Sequence, residues 1–109
     1  MRTAILLVSA GLVLSPALGH AQDSGMAGMH DQQREGGKMC FTDHYHWGNG
    51  EGLTKAAAQK TAIRSWIDFT SLEYGNRWAS FANSASKKTS YTKEAKGWSA
   101  TVESRPCRR

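Results

Sequence analysis

The sequence predicts an α+β fold: one amphipathic helix packed on a small, mostly antiparallel sheet, in the order β-α-(β)-β-β and stapled by a disulfide. Three observations carry this. A single stretch, Thr54 to Tyr74, repeats its apolar residues at helical spacing. Segments on both sides of it alternate with the period of a strand. The only cysteines, Cys40 and Cys107, sit at the two ends of the aromatic-bearing part of the chain.

The chain has 109 residues, room for one small domain. Its beginning has the pattern of an export signal. Met1-Arg2-Thr3 is a short basic start, Ala4 to Leu14 is an apolar run too short to span a bilayer comfortably, and Pro16 interrupts it. Gly19-His20-Ala21 places small residues where a signal peptidase reads, so residues 1–21 read as a signal peptide, with an exported, periplasmic or secreted product. Residues 22–38 (QDSGMAGMHDQQREGGK) have no aromatic and no Ile, Leu or Val. Such a segment buries too little to offset its ordering and reads as a disordered linker. The folded domain is then 39–109. No later segment is apolar enough to cross a membrane.

Within the domain, Met39 to Trp47 alternates, with Phe41, Tyr45 and Trp47 on one parity and Cys40, Thr42, His44 and His46 on the other. That predicts one strand, its aromatics in the core and its histidines on a wet face. Gly48 to Gly52 reads as the turn that follows. Thr54 is the expected N-cap of the helix. Ala58, Ala62, Ile63, Trp66, Ile67 and Thr70 are its apolar face, with Phe69 and Tyr74 flanking, and Gly75 is its stop. Arg77 to Ala82 reads as a short strand or as coil tied down by Trp78 and Phe81. Lys88–Lys93 and Gly97–Ser104 read as a hairpin, closed before Pro106. In an oxidising compartment Cys40 and Cys107 are expected to pair, which brings the first strand beside the end of the last.

The chemistry is sparse. There is no G-x-S-x-G, no phosphate-loop spacing and, with both cysteines oxidised, no free thiol, so the sequence speaks against a nucleophilic enzyme. Gly48-x-Gly50-x-Gly52 precedes a helix, but its spacing and Glu51 argue against anion binding. His44 and His46, two apart on a strand, leave the same face and could hold copper or zinc given a third ligand from a neighbouring strand or the linker. Met26, Met29 and His30 form M-x-x-M-H. Over five unrepeated residues this resembles the Met- and His-rich tracts of periplasmic copper-handling proteins, and the resemblance implies Cu(I) as a cofactor.

The formal net charge is +5, and much of it lies in the C-terminal half. There Arg77, Lys87, Lys88, Lys93, Lys96, Arg105, Arg108 and Arg109 interleave with Trp78, Phe81, Tyr91 and Trp98. This predicts attraction to an anionic envelope polymer rather than to nucleic acid, which an exported protein seldom meets; another exported protein is the other partner considered. The first expectation is therefore a non-enzymatic binding or structural module with a basic surface, without a cofactor. The second is a metal-binding protein using His44 and His46, helped by Met26, Met29 and His30.

Overall fold

The helix organises the molecule, and it forms where its spacing predicts. A computed structural model describes Gly11 and residues 26–109. In chain order these form a 3-10 turn (Ala27–Met29), β1 (Gln32–Glu35), β2 (Lys38–Phe41), β3 (His46–Gly52), α1 (Lys55–Tyr74), a second 3-10 turn (Asn76–Trp78), β4 (Ala85–Glu94), β5 (Gly97–Arg105) and β6 (Cys107–Arg108). The export-signal reading of 1–21 lies, apart from Gly11, outside the described residues, as do residues 22–25 of the linker reading. No helix among the described residues is long and apolar enough to cross a membrane.

Thr54 caps α1 as expected, its hydroxyl accepting the Ala57 N–H at 3.1 Å. Gly75 ends the helix at φ 94°, a conformation that glycine adopts without steric cost. The buried stripe runs Ala58, Ala62, Trp66, Thr70, Tyr74, every fourth residue. Ile63 and Ile67 pack at its margin, while Phe69 and Leu72 stay exposed.

The fold class holds, but the strands divide into two small antiparallel sheets, ordered β3-β5-β4 and β1-β2-β6. The helix covers the first sheet, where Trp66, Phe81, Ala100 and Val102 close the main core. The hairpin Ala85–Glu94/Gly97–Arg105 is longer at both ends than its sequence pattern suggests. The segment after α1 resolves as a 3-10 turn and coil, with Trp78 buried. Cys40 and Cys107 are direct register partners across β2 and β6 and are joined as a disulfide, S–S 2.03 Å.

Three expectations need correction. Met39 to Trp47 is not one strand. The chain leaves β2 after Phe41 and re-enters a different sheet at His46. The break resets the parity, so Trp47 points outward, 53% exposed, and donates its indole N–H to Glu103 at 2.6 Å. Gly48 to Gly52 is not a turn but the body of β3. A Cβ on Gly48 would stand 2.1 Å from the Ala62 carbonyl oxygen, on Gly50 2.3 Å from the Ala62 nitrogen, and on Gly52 2.6 Å from the Ala58 nitrogen. The glycines let the helix backbone lie directly on the strand.

The linker reading fails for residues 26–38. Composition hid this segment because side-chain chemistry rather than apolar mass holds it. β1 pairs with β2 through the Gly36-Gly37 turn, Gly36 at φ 62°. Arg105, buried, grips Glu35 with two nitrogens at 2.6 and 2.7 Å. The same guanidinium donates to the Phe41 carbonyl at 2.6 Å and to the Ser86 hydroxyl. Ala27 joins Phe41, Tyr74 and Trp78 in a second, smaller core, where Phe41 and Trp78 stack at 4.3 Å.

Candidate metal centre

The glycine seam decides where the histidines go. Two residues of strand advance about 6.6 Å and four residues of helix about 6 Å. Gly52, Gly50 and Gly48 therefore keep step with Ala58, Ala62 and Trp66. The next strand position on that face is His46 and the next helix position is Thr70. They meet: Thr70 Oγ1 lies 3.1 Å from His46 Nδ1. The Trp66 indole N–H also donates to the His46 carbonyl at 3.1 Å. His46 is thus 2% exposed and lies under the helix, not on the open face of the sheet that its parity predicts.

Around it the last turn of α1 and the N-terminal arm, residues 26–38, complete a cluster. The Tyr74 hydroxyl lies 2.7 Å from His44 Nε2, 3.2 Å from His46 Nε2 and 3.2 Å from His30 Nε2. Three imidazole nitrogens, from the arm, the β2–β3 connection and β3, converge on one oxygen. Glu73 adds a carboxylate 3.0 Å from His46 Nε2. His30 and His44 stack, ring centres 4.2 Å apart. One face opens to a hollow of about 250 Å³ lined by Met29, His30, Asp31, Asp43 and His44.

Hydrogen-bond accounting fixes a consistent arrangement without an ion. The phenol has one proton and two lone pairs. It donates to the Glu73 carboxylate and accepts from His44 and His30. His46 donates from Nε2 to Glu73, and Thr70 donates to Nδ1. If His46 changes tautomer, Nδ1–H donates to Thr70 and the lone pair of Nε2 turns toward Glu73 and His44. That is how a ligating histidine is usually held from behind.

The electrostatics favour the neutral form of His44 and of His46. Burial lowers the pKa of His44, with the nearby His30 adding to the effect and Glu73 opposing it. Burial also lowers that of His46 against the pull of Glu73. Burial, then Glu73, pushes the Tyr74 phenol well above its ordinary value, so it stays protonated. His44 and His46 thus have lone pairs to offer beside the carboxylate of Glu73.

The ligand atoms of His44, His46 and Glu73 lie within 4.8 Å of one another. Donors about 2.0–2.2 Å from a tetrahedral ion stand about 3.4 Å apart, so an ion needs a closure of roughly an ångström. Two histidines and a glutamate are a known catalytic zinc set. Of the expected residues, His30, His44 and His46 come together. Met29 only borders the hollow, 82% exposed, and Met26 is exposed away from it. Sequence reasoning did not find Glu73, Tyr74 and Thr70. The signal that points to them is the match between the glycine pairs of the strand and the small residues four apart on the helix.

No family model, curated protein or solved structure matches this chain.

Proposed function

We propose that the protein is a small exported binding module whose ligand is a divalent transition-metal ion, Zn²⁺ or Cu²⁺, held by His44, His46 and Glu73 with His30 in reach. The observation that carries this is the convergence of three imidazole Nε2 atoms on the Tyr74 hydroxyl, beside the carboxylate of Glu73. Imidazole with carboxylate suits Zn²⁺ and Cu²⁺, whereas Cu(I) prefers thioether sulfur, and the methionines stand outside the ligand set. A disulfide is compatible with an exported protein. The buried His46 leaves little room for a substrate, which favours binding over catalysis.

The test is calorimetric titration of the disulfide-intact protein with Zn²⁺ and with Cu²⁺. His44→Ala and Glu73→Gln are the informative variants, because both side chains are partly exposed and their loss spares the buried His46. Wild type should bind one ion with micromolar affinity or better, and each variant should lose at least tenfold. Millimolar binding to wild type, or equal binding to all three, would leave the cluster as a structural hydrogen-bond network.

A further inference from the structure

The aromatic–basic interleaving of the C-terminal half separates into two populations. Trp78 and Phe81 are buried and belong to the cores. Tyr91 is exposed and Trp98 is half-buried at the margin of the main core, at the opposite end of the sheet from His46, where Trp98 pairs with Gly52 and with Lys93. Two ammonium groups gather there. Lys55 Nζ, from the first turn of α1, lies 4.7 Å from the Trp98 ring centre and 5.4 Å from that of Tyr91. Lys93 Nζ, from β4, lies 4.8 Å from the same Trp98 ring. Two cations from different elements thus share one indole.

Strand parity sends the acids of the neighbouring strands out from the other side of the sheet. Trp98 shares its side of β5 with Ala100 and Val102, the helix side. Glu94 bonds Ser99, and Glu51 is in register with Ser99, so both issue from the other side, although both border the hollow at the sheet's end with Trp98 and Lys96. α1 lies over β3 and β5, and β4 is the sheet's edge. The result is a strip carrying fixed positive charge.

We propose that the Lys55–Lys93–Trp98–Tyr91 strip binds an anionic polysaccharide, its sulfate or carboxylate groups meeting the two ammoniums. Cation–π contact holds each lysine where it is needed, which lowers the ordering cost of binding. The ring faces lie under ammonium groups. They are therefore not free platforms for nucleic-acid bases, which bind single strands by stacking. This inference is independent of the metal site.

The probe is heparin, titrated into the disulfide-intact protein at low and at physiological salt. Lys55→Gln with Lys93→Gln should weaken binding at least tenfold. Arg34→Gln with Arg109→Gln, which removes the same charge from the N-terminal arm and the C-terminus, should change it less than threefold. His44→Ala should leave it unaltered, which separates this result from any failure of the metal reading. Binding should weaken as salt rises. Equal loss in the two double variants would replace the strip with diffuse charge attraction. A single-stranded oligonucleotide binding tighter than heparin at equal salt, or anionic vesicles doing so, would overturn the choice of partner. Failure of wild type to bind heparin at low salt would overturn the proposal outright.

Discussion

Gly48→Ala tests the idea that β3 is glycine-rich because a helix backbone lies on it. The added Cβ would meet the Ala62 carbonyl oxygen at 2.1 Å, the Trp66 nitrogen at 2.6 Å and the Trp66 Cβ at 2.8 Å, against an ordinary contact of 3.4 Å or more. Two of these are backbone atoms of a capped helix, so no rotamer change relieves them. The helix must retreat by roughly an ångström, and a gap of that size forfeits a quarter to a half of the dispersion energy of the contacts it opens. Those contacts belong to Ala58, Ala62 and Trp66, all fully buried. Overpacking costs about 1–3 kcal/mol where side chains can adjust; here, where they cannot, about 3–5 kcal/mol is expected. For a domain with a stability near the low end of ~5–15 kcal/mol, that leaves a substantial unfolded fraction. The assay is urea unfolding followed by tryptophan fluorescence and by far-UV circular dichroism. The midpoint should fall by about 2 M for a slope of ~1–3 kcal/mol/M. Gly37→Ala is the control: nothing lies within 4 Å of its Cβ position, and it should stay within about 0.5 kcal/mol of wild type. Ala62→Gly should not rescue Gly48→Ala, because the Ala62 atom in the way is its carbonyl oxygen. A Gly48→Ala protein within 1 kcal/mol of wild type, or a rescue by Ala62→Gly, would refute the backbone-contact argument.

Thr70→Val, close to isosteric, removes the partner of His46 Nδ1; Zn²⁺ affinity should fall about 10- to 100-fold with the fold retained, read by calorimetry beside circular dichroism. Glu35→Gln breaks the two-nitrogen grip of Arg105 and should cost about 2 kcal/mol in urea unfolding. The same pair sets an acid limit. The hydrogen bond from Arg105 is the main cause holding the Glu35 carboxyl below its ordinary value. Its contribution is therefore complete above the unfolded pKa of about 4.3 and is lost as pH falls through the lower folded value, so stability should drop more steeply in acid for wild type than for Glu35→Gln. Replacing both cysteines by serine opens a loop with a sequence separation of 67 residues. The chain-entropy relation puts that loss at about 4 kcal/mol, checked by the shift in urea midpoint.

What the sequence could and could not disclose follows from which forces leave a local trace. The helix, its Thr54 cap and its Gly75 stop were legible because each is decided within a few neighbouring residues. The Cys40–Cys107 staple was legible because two cysteines allow one intramolecular pairing. The N-terminal arm was not, since Glu35 reaches Arg105 across 70 positions and no local composition records such a partner. Nor was the strand character of Gly48 to Gly52, since glycine is a turn signal to any local rule. Its reason is the helix backbone above it, which appears only when the two elements are set side by side. That misreading carried the site with it. Once the glycines are taken as a strand face, the two-residue rhythm of β3 and the four-residue rhythm of α1 bring His46 to Thr70 and the β2–β3 connection toward Glu73 and Tyr74. The carboxylate beside His44 and His46, on which the proposed metal site rests, is therefore on the helix. The close packing that forbids side chains at Gly48, Gly50 and Gly52 is also what buries His46 and brings an imidazole within 3.0 Å of a carboxylate at its edge.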